Sequence, residues 1–192
     1  MGRHQEFDAQ DVLERAMWIF WDKGYRATSL VDLEAATGLQ TGSIYNAFGS
    51  KKGLFLAVID YYIERVVGLR VETVLQAGKP LEAIEAFFRT AYVELPKDQL
   101  MGCMLTNSAT EIGSVDAQVQ ERVAAGIARI ESAFRDRLLE AQAAGDLGTD
   151  KDPAILAVHL ASCYQGLGVT GRLTRDKTRL EIISDAAMSC LR

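Results

Sequence analysis

The chain has 192 residues, of which 48% are hydrophobic and 24% charged, as is typical of one globular domain or of a small head on a larger body. Its longest apolar runs fall well short of the roughly 18 residues of a membrane span, and the N-terminus has no apolar signal core, so a cytoplasmic protein is predicted. Three widely spaced cysteines and two histidines exclude a disulfide framework and a zinc ribbon, and the net charge of −5 means that any nucleic-acid contact depends on a local patch.

Apolar residues at helical spacing predict four helices in the N-terminal part of the chain. The first spans residues 8–23, with Asp8 as its N-cap and a glycine after its last residue. A serine and an aspartate three positions apart form a capping box at the start of a short helix over 29–37. After a glycine turn, a second short helix spans 41–48, and a long helix follows over 51–76.

The remaining sequence predicts five further helices and no convincing strand. They cover residues 81–95, 103–112, 115–144, 153–173 and 176–191. The last two are joined by a tight connection, which favours antiparallel packing. The sequence therefore predicts an all-α protein of about nine helices.

Residues 29–48 combine a short helix, a turn containing glycine and a second short helix. This arrangement holds the second helix against the major groove of DNA in helix-turn-helix proteins. Its outer side is predicted to present groups suited to base edges and phosphates, namely Thr41, Gly42, Ser43, Tyr45 and Asn46. Lys51 begins the next helix, where a cation and the helix dipole together favour a phosphate. Short helix pairs also occur in ordinary bundles, so an all-α enzyme or ligand-binding protein without DNA contact is the alternative.

The segment "GYRATSLVDLEAATGLQTGSIYNAFGSKKGLF", residues 24–55, resembles the helix-turn-helix signature of TetR-type transcriptional repressors. The resemblance implies a DNA-binding head over 1–52 and a body over 53–192 that binds a small-molecule inducer. It also implies a homodimer formed through the last two helices, a palindromic double-stranded DNA operator, no cofactor and no enzymatic activity.

Individual DNA-binding residues follow from the same resemblance. Thr28 is expected to cap the second helix and to face a DNA phosphate, and Lys51 is expected to contact a phosphate of the DNA backbone. Gln40, with Thr41, Gly42, Ser43, Tyr45 and Asn46, is expected at the groove, although Gln40 departs from the serine or threonine common at its position.

Two other motifs have competing interpretations. "GLGVTG", residues 166–171, fits the GxGxxG pattern of dinucleotide-binding enzymes, but no strand is predicted before it. Its glycines are instead predicted to allow close helix approach at a dimer seam. His159 and Cys163, four apart on one helix face, could bind a metal together with Cys103, but ordinary buried side chains are the favoured interpretation.

A ligand pocket is predicted in the body, lined by aromatic, sulfur-containing and polar side chains: Phe88, Tyr92, Cys103, Met104, Asn107 and Tyr164. Cys103 follows Gly102 in the first turn of a predicted helix, a position that favours the thiolate and therefore reaction with electrophiles. The resemblance extends here, since a subset of TetR-type repressors has Gly-Cys at this point. A buried, inert cysteine is the alternative interpretation.

Overall fold

The structure is a computed structural model that describes residues 8–92 and 100–192. These residues form nine helices and, across both described ranges, no strand, which confirms the predicted all-α class. In the same ranges, no helix is long and apolar enough to cross a lipid bilayer.

Three short helices make up the N-terminal head: α1 (Ala9–Lys23), α2 (Leu30–Thr37) and α3 (Thr41–Phe48). The Asp8 carboxylate caps α1, and the predicted capping box at Ser29 is present, with both of its reciprocal hydrogen bonds. A glycine in the left-handed conformation ends α2 and begins the turn into α3.

The inner face of α3 is held by a small apolar core. Ile44 is fully buried in the same apolar core as Leu33 and Phe20 of the first two helices. Phe20 packs edge-on against Phe55, with ring centroids 4.9 Å apart. Because its inner face is fixed in this way, α3 has its opposite face turned away from the protein.

The fourth helix connects the head to the body. It begins as α4 (Lys51–Tyr62) and continues through two π-helical stretches, Ile63–Gly68 and Val71–Leu75, so the predicted long helix is present with a changed winding. Next comes α5 (Pro80–Arg89), which ends earlier than predicted. The last three residues of the predicted helix over 81–95 lie outside the described residues.

The rest of the body consists of α6 (Met104–Ser108) with a π-helical extension (Ala109–Gly113), α7 (Ala117–Ala144), α8 (Pro153–Thr174) and α9 (Lys177–Met188), which closes in a 3-10 turn. Helix α7 packs along α8, and α8 packs against α9. An aromatic cluster fills the centre, with Phe87, Phe88, Phe134 and Tyr164 at centroid distances of 4.9 to 6.5 Å.

The GxGxxG segment lies inside α8, which rules out the strand-turn-helix context of a dinucleotide site. The predicted role of its glycines at a dimer seam is wrong for two of them. A Cβ atom at Gly168 would lie 3.2 Å from the backbone nitrogen of Cys103, and one at Gly171 would lie 3.5 Å from the Leu180 side chain. Gly168 therefore allows close approach within one chain, and Gly171 faces α9 of the same chain at an ordinary van der Waals distance.

Candidate DNA-binding surface and ligand cavity

The outer face of α3 carries a row of exposed small and polar residues. Gly42, Ser43, Tyr45 and Asn46 are all exposed, and the Tyr45 side chain projects with 44% of its surface accessible. Gln40 precedes them and is exposed as well. The structure therefore brings five of the predicted DNA-binding residues onto one surface.

The start of α3 is capped from the neighbouring helix. Gln40 occupies the N-cap position but forms no capping hydrogen bond with its side chain to any described residue. Instead, the Glu34 carboxylate of α2 accepts hydrogen bonds from the backbone N–H and the hydroxyl of Thr41. These bonds lower the pKa of Glu34. Thr41 thus fixes the start of α3, and the Gln40 side chain is left for an external partner.

Lys51 lies at the start of α4, close to the α3 surface. Its ammonium group sits 4.6 Å from the centroid of the Tyr25 ring. Partial burial lowers the pKa of Lys51, and the charges of Glu111 and Asp32 oppose that shift. The next residue, Lys52, is paired with Asp116 at 2.6 Å, so Lys51 is the lysine of the two that is available to a phosphate.

Thr28 does not occupy the position expected from the family resemblance. Its side chain is buried, and its hydroxyl donates a hydrogen bond to the Gly24 carbonyl at 2.6 Å. The cap of α2 is Ser29, the next residue along the chain. Because its hydroxyl is turned inward, the Thr28 side chain is not at the surface that α3 presents.

A cavity of about 230 Å³ lies between the C-terminal half of α1, the extension of α4, the end of α5 and helices α8 and α9. This is below the roughly 300 to 1,000 Å³ of drug-sized ligand sites, so its volume suits a small molecule. Its walls are mainly apolar and include six side chains with aromatic, charged or thiol groups: Trp18, Trp21, Arg70, Tyr92, Cys103 and Tyr164.

Half of the predicted ligand-binding residues line this cavity. Tyr92, Cys103 and Tyr164 belong to its wall, whereas Phe88, Met104 and Asn107 do not. Phe88 and Met104 are buried in the apolar core. The amide of the half-buried Asn107 donates a hydrogen bond to the Met101 carbonyl at 3.1 Å, so this side chain closes the turn before α6 and does not face the cavity.

Three of the six aromatic, charged or thiol side chains in the cavity wall were not anticipated from the sequence. Trp18 and Trp21 belong to the first helix of the head, and their rings stack with centroids 5.4 Å apart. Arg70 comes from the π-helical extension of α4. A pair of tryptophans at i and i+3 beside the apolar stripe of α1 is a signal in the sequence for a second contact surface.

Cys103 lies at the N-cap of α6, with its half-buried thiol in the cavity wall. The Tyr62 hydroxyl donates a hydrogen bond to its sulfur at 3.9 Å. Burial raises the pKa of Tyr62 well above its ordinary value, so the phenol keeps its proton and remains a donor to that sulfur.

Hydrogen bonds connect the cavity wall directly to the head. The Trp21 indole N–H donates to the Gly102 carbonyl at 3.1 Å, next to Cys103. The Arg172 guanidinium of α8 donates to the carbonyls of Trp21 and Asp22 at the end of α1, at 3.1 and 2.8 Å. The end of α1, the start of α6 and the end of α8 therefore meet at one point.

A second connection runs from the other end of α6. The Glu111 carboxylate, in the π-helical extension, accepts hydrogen bonds from the backbone N–H groups of Tyr25 and Arg26 at 2.9 and 2.7 Å. These residues form the turn between α1 and α2. Helix α6 is thus bonded to the head at both ends, by Gly102 and by Glu111.

The thiol of Cys163 lies 3.6 Å from the imidazole Nε2 of His159, so the predicted pair is in contact. No group of three or more potential metal ligands occurs within residues 8–92 and 100–192. Cys103 lies at the cavity wall and is not part of this pair. His159 is exposed and Cys163 half-buried, so the favoured interpretation of ordinary buried side chains is wrong for His159.

Comparisons with known proteins agree with these features. A family model described as "Bacterial regulatory proteins, tetR family" matches residues 12–58, and one described as "Tetracyclin repressor-like, C-terminal domain" matches residues 80–187. The HTH-type transcriptional regulator YezE of Bacillus subtilis is 33% identical over 193 residues, covering 100% of both chains. The HTH-type transcriptional repressor ComR of Escherichia coli is 32% identical over 173 residues, covering 89% of this chain and 82% of ComR.

Among solved structures, a cysteine mutant of the TetR family transcriptional regulator CifR, complexed with 26-base-pair operator DNA, is similar with a TM-score of 0.86. It is 28% identical, and the match covers 100% of both chains. The relatives are transcriptional regulators rather than enzymes, in agreement with the sequence-based prediction. The chain belongs to the TetR family of DNA-binding transcriptional repressors.

Proposed function

We propose that this chain is a ligand-responsive repressor that binds a roughly palindromic operator as a homodimer and is released by a small molecule in the cavity. In this proposal residues 1–52 are the DNA-binding head and residues 53–192 the ligand-binding and dimerisation body. The protein acts in the cytoplasm, where its operator is.

The observation that carries the proposal is the exposed face of α3, held on a buried inner face and bordered by Lys51. Tyr45, Ser43 and Asn46 offer hydroxyl and amide groups to base edges and sugar-phosphate backbone. No acidic residue occurs between positions 40 and 52, and the nearby carboxylates of Glu34 and Asp116 are bonded to Thr41 and Lys52. Lys51 therefore offers its positive charge to a phosphate despite the net charge of −5. ComR is named a repressor and CifR was solved with operator DNA, which supports the same role here.

A homodimer is supported by an apolar stripe on the outer face of α8. Ile155, Val158, Val169 and Leu173 are exposed at helical spacing, and Leu173 has 81% of its surface accessible. Ile182 on the adjacent α9 is exposed beside them. Such a surface is unfavourable in water, and a second copy of the same two helices would bury it as a four-helix bundle.

The position of the cavity supports release of operator DNA by a bound ligand. Because Trp18 and Trp21 belong to both the cavity wall and the head, a ligand that displaces the indoles also moves α1. The Gly102 and Glu111 hydrogen bonds then transmit a shift of α6 to the same head. The protein has one arrangement of α1 and α6 in which the head binds the operator and another in which it does not. A ligand acts as an inducer if it binds more tightly to the second arrangement.

Selection of genomic fragments by the purified protein tests the proposed function. We expect enrichment of a small set of sites with a shared inverted repeat, including DNA near the protein's own gene. Heparin retention and a gel shift on the same fragments check the contact directly. Capture of no fragment above background would support the alternative, an all-α enzyme or ligand-binding protein without DNA contact.

We further propose that Cys103 allows thiol-reactive inducers to act. Brief treatment with N-ethylmaleimide should modify Cys103 first, because burial raises the pKa of both Cys163 and Cys190 and keeps those thiols protonated. The adduct occupies the cavity beside Trp21 and should release operator DNA. Mass spectrometry and a gel shift on the same sample measure both steps.

Cys103→Ser is the matched control for this prediction, since it keeps the size of the side chain and removes the nucleophile. It should bind operator normally and stay bound after treatment. Equal release of wild type and Cys103→Ser, or a folded protein in which Cys103 stays unlabelled, would show that the inducer acts without covalent chemistry.

A further inference from the structure

Arg70 is the one charged side chain that lines the cavity among the residues the structure describes. Its Nη2 donates to the Phe87 carbonyl at 2.8 Å and to the Thr90 hydroxyl at 3.1 Å, both of which are neutral acceptors. Its Nε is buried and has no hydrogen-bond partner in either described range. The guanidinium is therefore held in place without an anion to balance its charge.

A cation in such a setting favours an anion over a neutral group. Burial of a charge without an opposite charge is costly, because neutral acceptors replace only part of the lost hydration. The guanidinium carries five N–H donors in a planar fork that matches a carboxylate. The Cζ atom lies 4.8 Å from the centre of the Phe87 ring, so the fork is oriented by packing before any ligand arrives.

The cavity walls away from Arg70 indicate which kind of group fits the rest of the ligand. The stacked indoles of Trp18 and Trp21 face the cavity together with Tyr92 and Tyr164, and aliphatic side chains complete the lining. Among described residues, no acidic side chain lines the cavity. An apolar or aromatic group fits this surface, whereas a cationic or strongly polar one does not.

We propose that the inducer site accepts a small monocarboxylate with an apolar body, whose carboxylate is bound by Arg70. This inference rests on the proposed ligand-responsive function and names the chemical class of the ligand. The Tyr164 hydroxyl lines the same cavity as the guanidinium and is available as a further donor, whereas the Thr90 hydroxyl donates to the Ala86 carbonyl at 2.8 Å. The apolar body lies against the indoles of α1, so ligand binding contacts the DNA-binding head directly.

Matched acids and amides test the ligand class, with benzoate, phenylacetate and butyrate compared with benzamide, phenylacetamide and butyramide. Titration calorimetry measures each affinity on the full chain without DNA. Trp18 and Trp21 are the two tryptophans of the chain, so intrinsic fluorescence also reports occupancy. We expect at least one acid to bind about 10- to 100-fold more tightly than its amide, as for a hydrogen bond to a charged group.

Substitution of Arg70 separates its charge from its structural contacts. Arg70→Gln should reduce the preference for acid over amide to about one, whereas Arg70→Lys should keep part of it because the charge remains. Circular dichroism confirms the fold of both variants. If Arg70→Gln only lowers thermal stability and leaves the acid preference intact, Arg70 is a structural contact of α5 and the proposal is wrong.

Two further results would overturn the ligand class, namely amides that bind as tightly as their acids and a failure of every acid to saturate the cavity. Operator binding by the untreated protein is measured separately. Intact operator binding with no acid bound contradicts the Arg70 proposal alone. Loss of operator binding contradicts the proposed repressor function, whatever the cavity binds.

Discussion

Replacement of Val169 and Leu173 by glutamate should convert the protein into a monomer and weaken operator binding by about 100- to 10,000-fold. Both side chains are exposed on α8, at 47% and 81%, within the apolar stripe proposed to meet its symmetry mate. Two like charges brought face to face in an apolar interface are strongly unfavourable. A monomer then contacts one half-site, and the gain from linking two heads is lost.

Val115→Glu is the control for this dimer prediction. Val115 is 75% exposed, but it lies between α6 and α7, away from the stripe. The control should remain dimeric in light scattering. A wild-type protein that is monomeric at micromolar concentration, or a double variant that remains dimeric, would show that α8 is not the interface.

Tyr45→Ala and Lys51→Ala should each weaken operator binding by about 1 to 3 kcal/mol, or about 5- to 150-fold, without loss of fold. Tyr45 is the large side chain that projects from the exposed face of α3, and Lys51 begins the next helix and is free of an ion pair with any described residue. Lys51→Ala should also reduce the steepness of the salt dependence, since it removes a phosphate contact. Fluorescence anisotropy with labelled operator measures both effects.

Lys79→Ala controls for the general loss of a lysine. Lys79 is exposed in the body, before α5, and should leave operator affinity unchanged. Tyr45→Phe separates the hydroxyl of Tyr45 from its ring. If neither Tyr45→Ala nor Lys51→Ala changes the affinity, α3 is not the element that contacts DNA.

The head could be predicted from the sequence because its signals are local. The capping box at Ser29, the glycine after α2 and the spacing of Ile44 and Phe48 all act within a few residues of one another. The exposed face of α3 follows from the burial of its opposite face. Local periodicity of this kind survives folding, so the helices of the head lie where they were predicted and four of the five outward residues of α3 are exposed. The exception is Thr41, which is half-buried with its hydroxyl bonded to Glu34.

The predictions for the head that were wrong concern helix caps, which depend on contacts between different helices. Nothing in the spacing of Glu34 and Thr41 indicates that a carboxylate of α2 caps α3, and Thr28 turned out to be buried behind Ser29. These outcomes are set by how α1, α2 and α3 pack. Sequence patterns identify a helix end, but they do not show which neighbouring side chain reaches it.

The cavity was the least predictable feature, because its wall joins residues far apart in the chain. Trp18 belongs to the head, Arg70 to the extension of α4 and Tyr164 to α8. Aromatic and sulfur-containing side chains in the body were split between cavity and core, and composition does not separate the two. Phe88 and Met104 therefore proved to be core residues, whereas Tyr92 and Cys103 line the cavity.

In the proposed complex, two copies of α3, fixed by a dimer of the body, bind the two halves of one operator. Fluorescence anisotropy with a selected full site and with a single half-site, at several salt concentrations, tests it most directly. We expect the full site to bind about 100- to 10,000-fold more tightly than the half-site. We also expect the logarithm of the affinity to fall linearly with the logarithm of salt concentration. Equal affinity for the two fragments, with no response to salt, would contradict the proposed complex.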